Sequence, residues 1–470
     1  MKKATADDRT SEENAFLDLK KALRGDVILP EDATYDATRA IWNGMIDRRP
    51  RGIARCLGPT DVQAALAFAR SRGLQVAVRG GGHNIAGLAV CEGGLTIDLS
   101  LMRGVRVDPA ARTAHAQAGC KLFDVDRETQ AHGLAAVLGF VSTTGIAGLT
   151  LGGGFGYLTR QYGWTCDTVR SMDVVTADGR LVRANETENS DLFWGLRGGG
   201  GNFGIVTDFE YELYPVGPQI VGGAIAWRWE DAPAVLETYR ELLQTAPREF
   251  LCVAALRLAP PAPWIDRSVH GKPIIALFVC HTGPIDEAEP QVEPIKSFGS
   301  PVGDVIQRRS YVSQQSILDA TQPQGRRYYW KSEYLPDLKE GMTASLIEHT
   351  ERVASPHGAI LLFPVGGAIG DLSNDHAAVG NRDAGLVLNV AAAWDDPAHD
   401  RKNMSWARSA WEDLRPFSTG GVYINFQPDD EGDDRIRAAY GQNYERLVDL
   451  KAAWDPENVF RVNKNIPPRP

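Results

Sequence analysis

Cysteine, histidine and positive charge are all scarce in this chain, and it has no apolar run long enough to cross a membrane. Six cysteines in 470 residues (Cys56, Cys91, Cys120, Cys166, Cys252 and Cys280) form no CxxC pair. That spacing excludes a zinc ribbon and a disulfide-stapled scaffold, and it reads as buried, reduced thiols. The nine histidines form neither HxxxH nor HxH, so no metal is expected. Met1 to Asp8 carries two lysines with no apolar stretch behind them, so a secretory signal is not expected and the location reads as cytoplasmic. Fifty Lys and Arg against 60 Asp and Glu leave a formal charge of −10. Such a surface repels phosphate backbones and anionic lipid, so neither nucleic acid nor membrane is an expected partner.

What the chain does have is length, ordinary globular composition and an excess of glycine. Apolar residues make up 43% and charged residues 23%, values typical of a packed soluble fold. At this length two domains are expected. Thr60-Asp61-Val62-Gln63 reads as a capping box opening a helix that stops at Gly73. Strands are expected over Leu74–Arg79, Leu95–Leu99, Val105–Val107 and Thr113–Ala118, followed by a helix over Lys121–His132. Asp178-Gly179 turns a hairpin, and Ile205–Leu213 alternates as a half-exposed strand. Tyr214 to Pro218 reads as a boundary. Beyond it, strands over Ile220–Trp229, Leu251–Leu258, Pro273–His281, Ala359–Val365 and Leu386–Trp394 mix with helices over Ala232–Gln244, Leu338–Ala354 and Arg401–Leu414. That is an α+β layer, a sheet with helices on one face. From Gly420 onward one strand and one long helix, about Asp434 to Ala453, are expected.

Much of the glycine, 48 residues in all, lies in three runs: Arg79–Asn84, Gly145–Gly156 and Arg197–Gly204. Consecutive glycines let backbone N–H groups converge on an anion with no side chain in the way, which suits a pyrophosphate and hence a large nucleotide. Gly199 to Gly204 satisfies GxGxxG in letters, yet it leaves a helix and opens a strand, the reverse of a dinucleotide fingerprint. No GxxxxGK[ST] occurs, so a P-loop is excluded. His83 lies inside the first run. An isolated histidine is often only a hydrogen-bonded structural residue, but a neutral imidazole is also a nucleophile able to bond an electrophilic methyl group on a flavin.

Arg79-Gly80-Gly81-Gly82-His83-Asn84 with Gly94-Leu95-Thr96-Ile97-Asp98-Leu99-Ser100 resembles the berberine bridge enzyme-like branch of the vanillyl-alcohol oxidase flavoproteins. The resemblance continues through Gly145–Gly156, Arg197–Val206, Gly421-Val422-Tyr423-Ile424-Asn425-Phe426 and the closing Asp455 to Pro467, spanning about Arg49 to Pro467. It implies an N-terminal extension and helix over 1–48 and an FAD-binding domain of the PCMH type over 49–216. A central substrate domain of antiparallel sheet and helices follows over 217–419, and a segment over 420–470 returns to the FAD domain. It further implies that FAD contacts Arg79, Gly80, Gly81, Gly82, His83, Asn84, Ser142, Thr143, Gly145, Gly148, Leu149, Gly152, Gly153, Gly156, Gly204, Val206, Asn425, Asn463 and Asn465. His83 would carry the flavin 8α-methyl. Many members add a cysteinyl bond; here Val141 stands at the matching position, so the chain resembles the singly tethered members.

The family resemblance also implies oxidation of an alcohol, sugar, amine or aromatic metabolite, with O2 as the electron acceptor and the chain as a monomer or homodimer. A flavin-dependent oxygenase or dehydrogenase, and a non-catalytic flavin-binding protein, are the alternatives. Tyr423 matches a catalytic tyrosine of some relatives. If Tyr-Ile-Asn is a strand, Asn425 shares its face. A phenol must lower its pKa far below ~10 to act as a base, so Tyr423 is equally a wall residue. Asp371 lies in a segment resembling one that supplies a catalytic carboxylate, and is otherwise a solvated loop residue. Asn463 and Asn465 resemble the family's terminal asparagines, with turn capping as the plainer alternative.

Overall fold

A computed structural model describes residues 15–469, so part of the expected N-terminal extension, residues 1–14, lies outside the described residues. The N-terminal half builds two small sheets. In the first, Asp26–Ile28, Gly52–Arg55, Leu95–Asp98 and Val76–Arg79 lie side by side, the last three parallel. The helix Pro59–Ser71 makes the crossover between Gly52–Arg55 and Val76–Arg79. Ligands of parallel sheets gather at the carboxyl ends of the strands, and Val76–Arg79 delivers the first glycine run at that end. The second sheet is antiparallel, with Ile205–Glu212 central between Thr113–Gln117 and Val169–Val175. Its alternation behaves as the sequence predicts: Phe209 and Tyr211 are buried, while Asp208 meets His115 at 2.8 Å and Glu210 meets Arg183 at 2.8 Å.

The central part forms an 8-stranded antiparallel sheet. Its main path runs Gly303–Asp304, Gln219–Arg228, Pro273–His281, Phe250–Leu258, Ala359–Pro364, Leu386–Trp394, Arg327–Leu335. Helices Ala232–Thr245, Ile285–Lys296, Met342–Glu351 and Asp400–Leu414 pack on one face through a core that includes Leu236, Val292, Leu346 and Trp406. Successive strand residues point to opposite faces. The other face therefore presents Val253, Phe363 and Val387, which join Phe140, Phe155, Trp164 and Tyr423 of the glycine-rich half. The C-terminal segment packs back on the first half: Leu447, Leu450, Phe460 and Ile466 share a core with Phe193, Leu196 and Phe203.

Several local expectations are corrected. The first long helix starts at Pro59 after Gly58, with no side-chain cap; Pro59 pre-sets the first helical φ and needs no N–H partner there. Asp61 instead accepts from the N–H groups of Leu57, Arg24 and Gly25 at 2.8, 2.9 and 3.2 Å. No strand forms among the described residues after Gly420; Ile424–Phe426 is a 3-10 turn, with Tyr423 just before it. The expected long helix is two, Asp433–Tyr440 and Tyr444–Trp454, parted where Gly441 takes φ 53°. Strand Arg327–Leu335 and helix Ile285–Lys296 were not anticipated by the sequence pattern.

Candidate active site

Between the glycine runs and the open face of the central sheet lies a cavity of about 330 Å³. Its floor is lined by Gly80, Gly81, Gly82, His83, Asn84, Gly145, Gly148, Leu149, Gly152, Gly204 and Val206, all anticipated from the sequence. Tyr423, Asn425, Asn463 and Val141 also line it. The first two runs touch: a Cβ on Gly81 would stand 2.5 Å from the Gly145 backbone nitrogen, so neither position admits a side chain without moving the other loop. A Cβ on Gly152 would stand 2.5 Å from Asn425 Cγ. Among the described residues, none of the N–H groups from Gly80 to Asn84 donates a hydrogen bond. Consecutive donors left open in a cavity lining are available to an anion.

His83 is held rigidly at one end. Trp42 stacks on its ring with centroids 4.0 Å apart, and Tyr328 stacks on the other face of Trp42 at 3.8 Å. Its Nε2 is buried without a hydrogen-bond partner. Burial pushes the imidazole pKa down to about 3, so the ring is neutral at working pH and keeps a free lone pair. Two more cavity-lining atoms, Asn463 Oδ1 and Tyr440 Oη, are likewise buried and unpartnered. A buried polar atom without a partner costs about 1–3 kcal/mol. Orphans that share one cavity with open amides fit a large polar cofactor with an electrophilic ring system, and FAD meets both requirements.

Tyr423 is 1% exposed. Its Oη accepts from the Gly154 N–H at 3.1 Å and from Asn425 Nδ2 at 2.9 Å. The pairing of Tyr423 with Asn425 anticipated from the sequence is therefore present, through a tight turn and not a strand face. Burial raises the phenol pKa, which opposes the ionised-base role. With both lone-pair directions taken by N–H donors, the hydroxyl hydrogen is directed away from them.

Other sequence candidates lie elsewhere. Arg79 points away from the cavity, paired to buried Asp98 at 2.6 Å and donating to Thr38 O at 2.5 Å; it anchors the strand that carries the glycine run. Ser142 gives both its N–H and its hydroxyl to Asp319, at 2.8 and 2.5 Å. Ser142, Thr143, Gly153, Gly156 and Asn465 are not in the cavity lining; Gly156 is glycine because a Cβ would strike Leu138 O. Asp371 is an exposed carboxylate in a 3-10 turn, bound by both Arg248 terminal nitrogens at 2.5 and 2.9 Å and not in the cavity lining. Cys166 is a buried free thiol, and burial raises its pKa.

Sequence reasoning missed Trp42, Tyr440, Asn202 and Lys451. Asn202 donates to Gly199 O at 2.8 Å and accepts from the Ile466 N–H at 3.0 Å. Lys451 Nζ donates to Asn202 O, Phe460 O and Asp455 Oδ2 at 2.8, 2.9 and 2.6 Å. Together they tie the third glycine run to the C-terminal segment. Asn202 lies inside that run, which was the one available signal.

Family models match in two places: an FAD binding domain over residues 50–185, and a berberine and berberine-like segment over residues 422–467. The chain is 32% identical over 458 residues to (R)-6-hydroxynicotine oxidase of Paenarthrobacter nicotinovorans, covering 95% of this chain and 97% of that one. It is 30% identical to an uncharacterized FAD-linked oxidoreductase of Bacillus subtilis, covering 96% and 98%. Among solved structures, 6-hydroxy-D-nicotine oxidase from Arthrobacter nicotinovorans superposes with a TM-score of 0.84 at 28% identity, covering 95% of this chain and 98% of that one.

Proposed function

The chain belongs to the berberine-like FAD-linked oxidoreductases, and from that premise we propose that it is an oxidase whose flavin is bonded to His83 and to no cysteine. The observation that carries this reading is His83 itself: a neutral imidazole, clamped by Trp42, whose unpartnered Nε2 is buried at the edge of a glycine-paved cavity. Bound FAD would supply a hydride acceptor and a route for the electrons to O2. The amides of Gly80 to Asn84 would hold its pyrophosphate, and Asn463 Oδ1 and Tyr440 Oη would accept or donate along its length. Residues 49–216 with 420–470 make the cofactor bed, and 217–419 make the roof. Val141 offers the ring only hydrocarbon.

Tyr423 keeps its proton and, fixed in place by Gly154 and Asn425, would position the oxygen or nitrogen of the substrate by a hydrogen bond; as hydride leaves the adjoining carbon that heteroatom becomes cationic, and its own proton would be released to solvent. A hydrogen bond in a dry site holds that geometry more firmly than the same bond in water. The apolar roof excludes water from the same space. The substrate is a small molecule with an oxidisable C–H bond next to that heteroatom. The test is stoichiometric: purified holoenzyme under air should form one hydrogen peroxide per substrate oxidised. Turnover that requires an added dye or quinone, with no peroxide, would make it a dehydrogenase.

A further inference from the structure

The roof of the cavity is a sheet face, and its register fixes what it can recognise. Arg257 pairs with Ala359, and Ala359 with Ala391, which faces Trp330 across the next strand. In the adjoining row Ala255 pairs with Leu361, Leu361 with Asn389, and Asn389 with Ser332. The small side chains of Ala255, Ala359 and Ala391 leave a shallow slot in front of the sheet, bordered by the Trp330 ring. Among the described residues, Arg257 and Asn389 bring the only charged and amide groups that the sheet strands place in this lining.

Neither group is satisfied by the protein. Arg257 has no carboxylate within ion-pair distance among the described residues; it donates only to Leu258 O at 3.2 Å and Pro356 O at 3.3 Å. Asp395, the partner of the cavity-lining His357 at 3.0 Å, is also held by Arg326 at 2.9 Å. A largely buried guanidinium without an anion is costly, and a bound anion relieves that cost. Burial and the neighbouring Arg326 both push the Arg257 pKa down, the direction expected of a cation lacking a counter-charge. Asn389 is 2% exposed, and its Oδ1 has no hydrogen-bond partner. It therefore awaits a donor.

We propose that the substrate of this cavity is a flat, mainly apolar or aromatic molecule carrying an oxyanion such as a carboxylate, which Arg257 receives, and an O–H or N–H donor, which Asn389 accepts. The two residues sit two strands and one row apart, about 12 Å between backbones from strand spacings of about 4.8 Å and a two-residue rise of about 6.7 Å. Arg257 leans to Pro356 O, on the side of its row away from Asn389, so the side chains do not close that spacing and the ligand is a ring extended by a short acidic chain. The inference rests on the reading of this cavity as a flavin active site, and it adds the charge and polarity of what the site takes.

The test titrates yellow holoenzyme with 3-(4-hydroxyphenyl)propanoate, its carboxamide, and 3-phenylpropanoate, following the visible flavin band. The hydroxylated acid should bind at least tenfold more tightly than its amide. Arg257→Met should cut that preference below threefold with flavin content unchanged, and Arg257→Lys should keep part of it. Asn389→Leu should bring the hydroxylated acid to the affinity of 3-phenylpropanoate. A yellow protein that binds acid and amide alike, that binds neither, or whose preference survives Arg257→Met overturns this inference alone. A protein purified without flavin overturns the reading of the cavity itself, and this inference with it.

Discussion

Replacing Tyr423 by phenylalanine removes one oxygen and leaves two donors, the Gly154 N–H at 3.1 Å and Asn425 Nδ2 at 2.9 Å, facing a ring edge. Each buried donor left unpaired costs about 1–3 kcal/mol. Asn425 keeps its bond to Leu149 O at 3.1 Å, so the sum falls near about 2–4 kcal/mol. With an unfolding entropy of about 2.1 cal/mol/K per residue, that lowers the melting temperature by roughly 2–4 °C. The effect on catalysis is separate. Loss of the hydroxyl that positions the substrate costs about 10²-fold in rate. Anaerobic rapid mixing reads this as the rate of flavin bleaching by substrate. The expected result is bleaching slowed by that factor, with flavin content intact. Bleaching within threefold of wild type, together with the calculated melting shift, would show that Tyr423 is only a wall.

Three further outcomes follow from residues already placed. Gly81→Ala drives a methyl into the Gly145 backbone at 2.5 Å, so the purified variant should contain little or no flavin by absorbance. Asp126 is buried with Gln315 Nε2 at 3.1 Å as its side-chain partner, and burial raises its pKa to about 7. A raised carboxylate pKa means that the folded state binds the proton more tightly than the unfolded chain. Its contribution is full below about pH 4 and is lost as pH rises to 7, about 4 kcal/mol at most for three pKa units. Asp126→Asn should therefore unfold at a higher urea concentration than wild type at pH 8 and lose the advantage at pH 4. Asp371→Asn, which breaks an exposed pair with Arg248, should leave turnover within twofold of wild type; a larger loss would return Asp371 to the active site.

The glycine floor was legible because its signal is local: Gly80 to Asn84 and Gly145 to Gly152 announce themselves as runs, and each run lies on one loop. Arg79, in the same motif, shows that letters do not give direction; on a strand next to Asp98 its side chain pairs with that carboxylate and lies outside the cavity lining. Tyr423 and Asn425 were rightly paired for the wrong reason, since a 3-10 turn brings them together where alternation was assumed. The roof was not legible. Arg257 and Asn389 reach the same sheet face of the cavity only through the register of three strands, and spacing along the chain says nothing about register. Strand Arg327–Leu335 escaped notice because Lys331 and Glu333 sit on its helix-covered face, paired with Glu431 and Arg435 at 3.0 and 2.7 Å, which spoils the apolar alternation. Helix Ile285–Lys296 carries Pro290 and Pro294, which read as breaks.

The proposed bond between His83 and the flavin is tested most directly by precipitating the purified protein with acid and asking where the colour goes. The expected result is a yellow pellet, with a proteolytic peptide containing His83 that carries the flavin mass, and a colourless pellet from His83→Ala. A wild-type pellet that turns white while the supernatant takes all the flavin would contradict the tether.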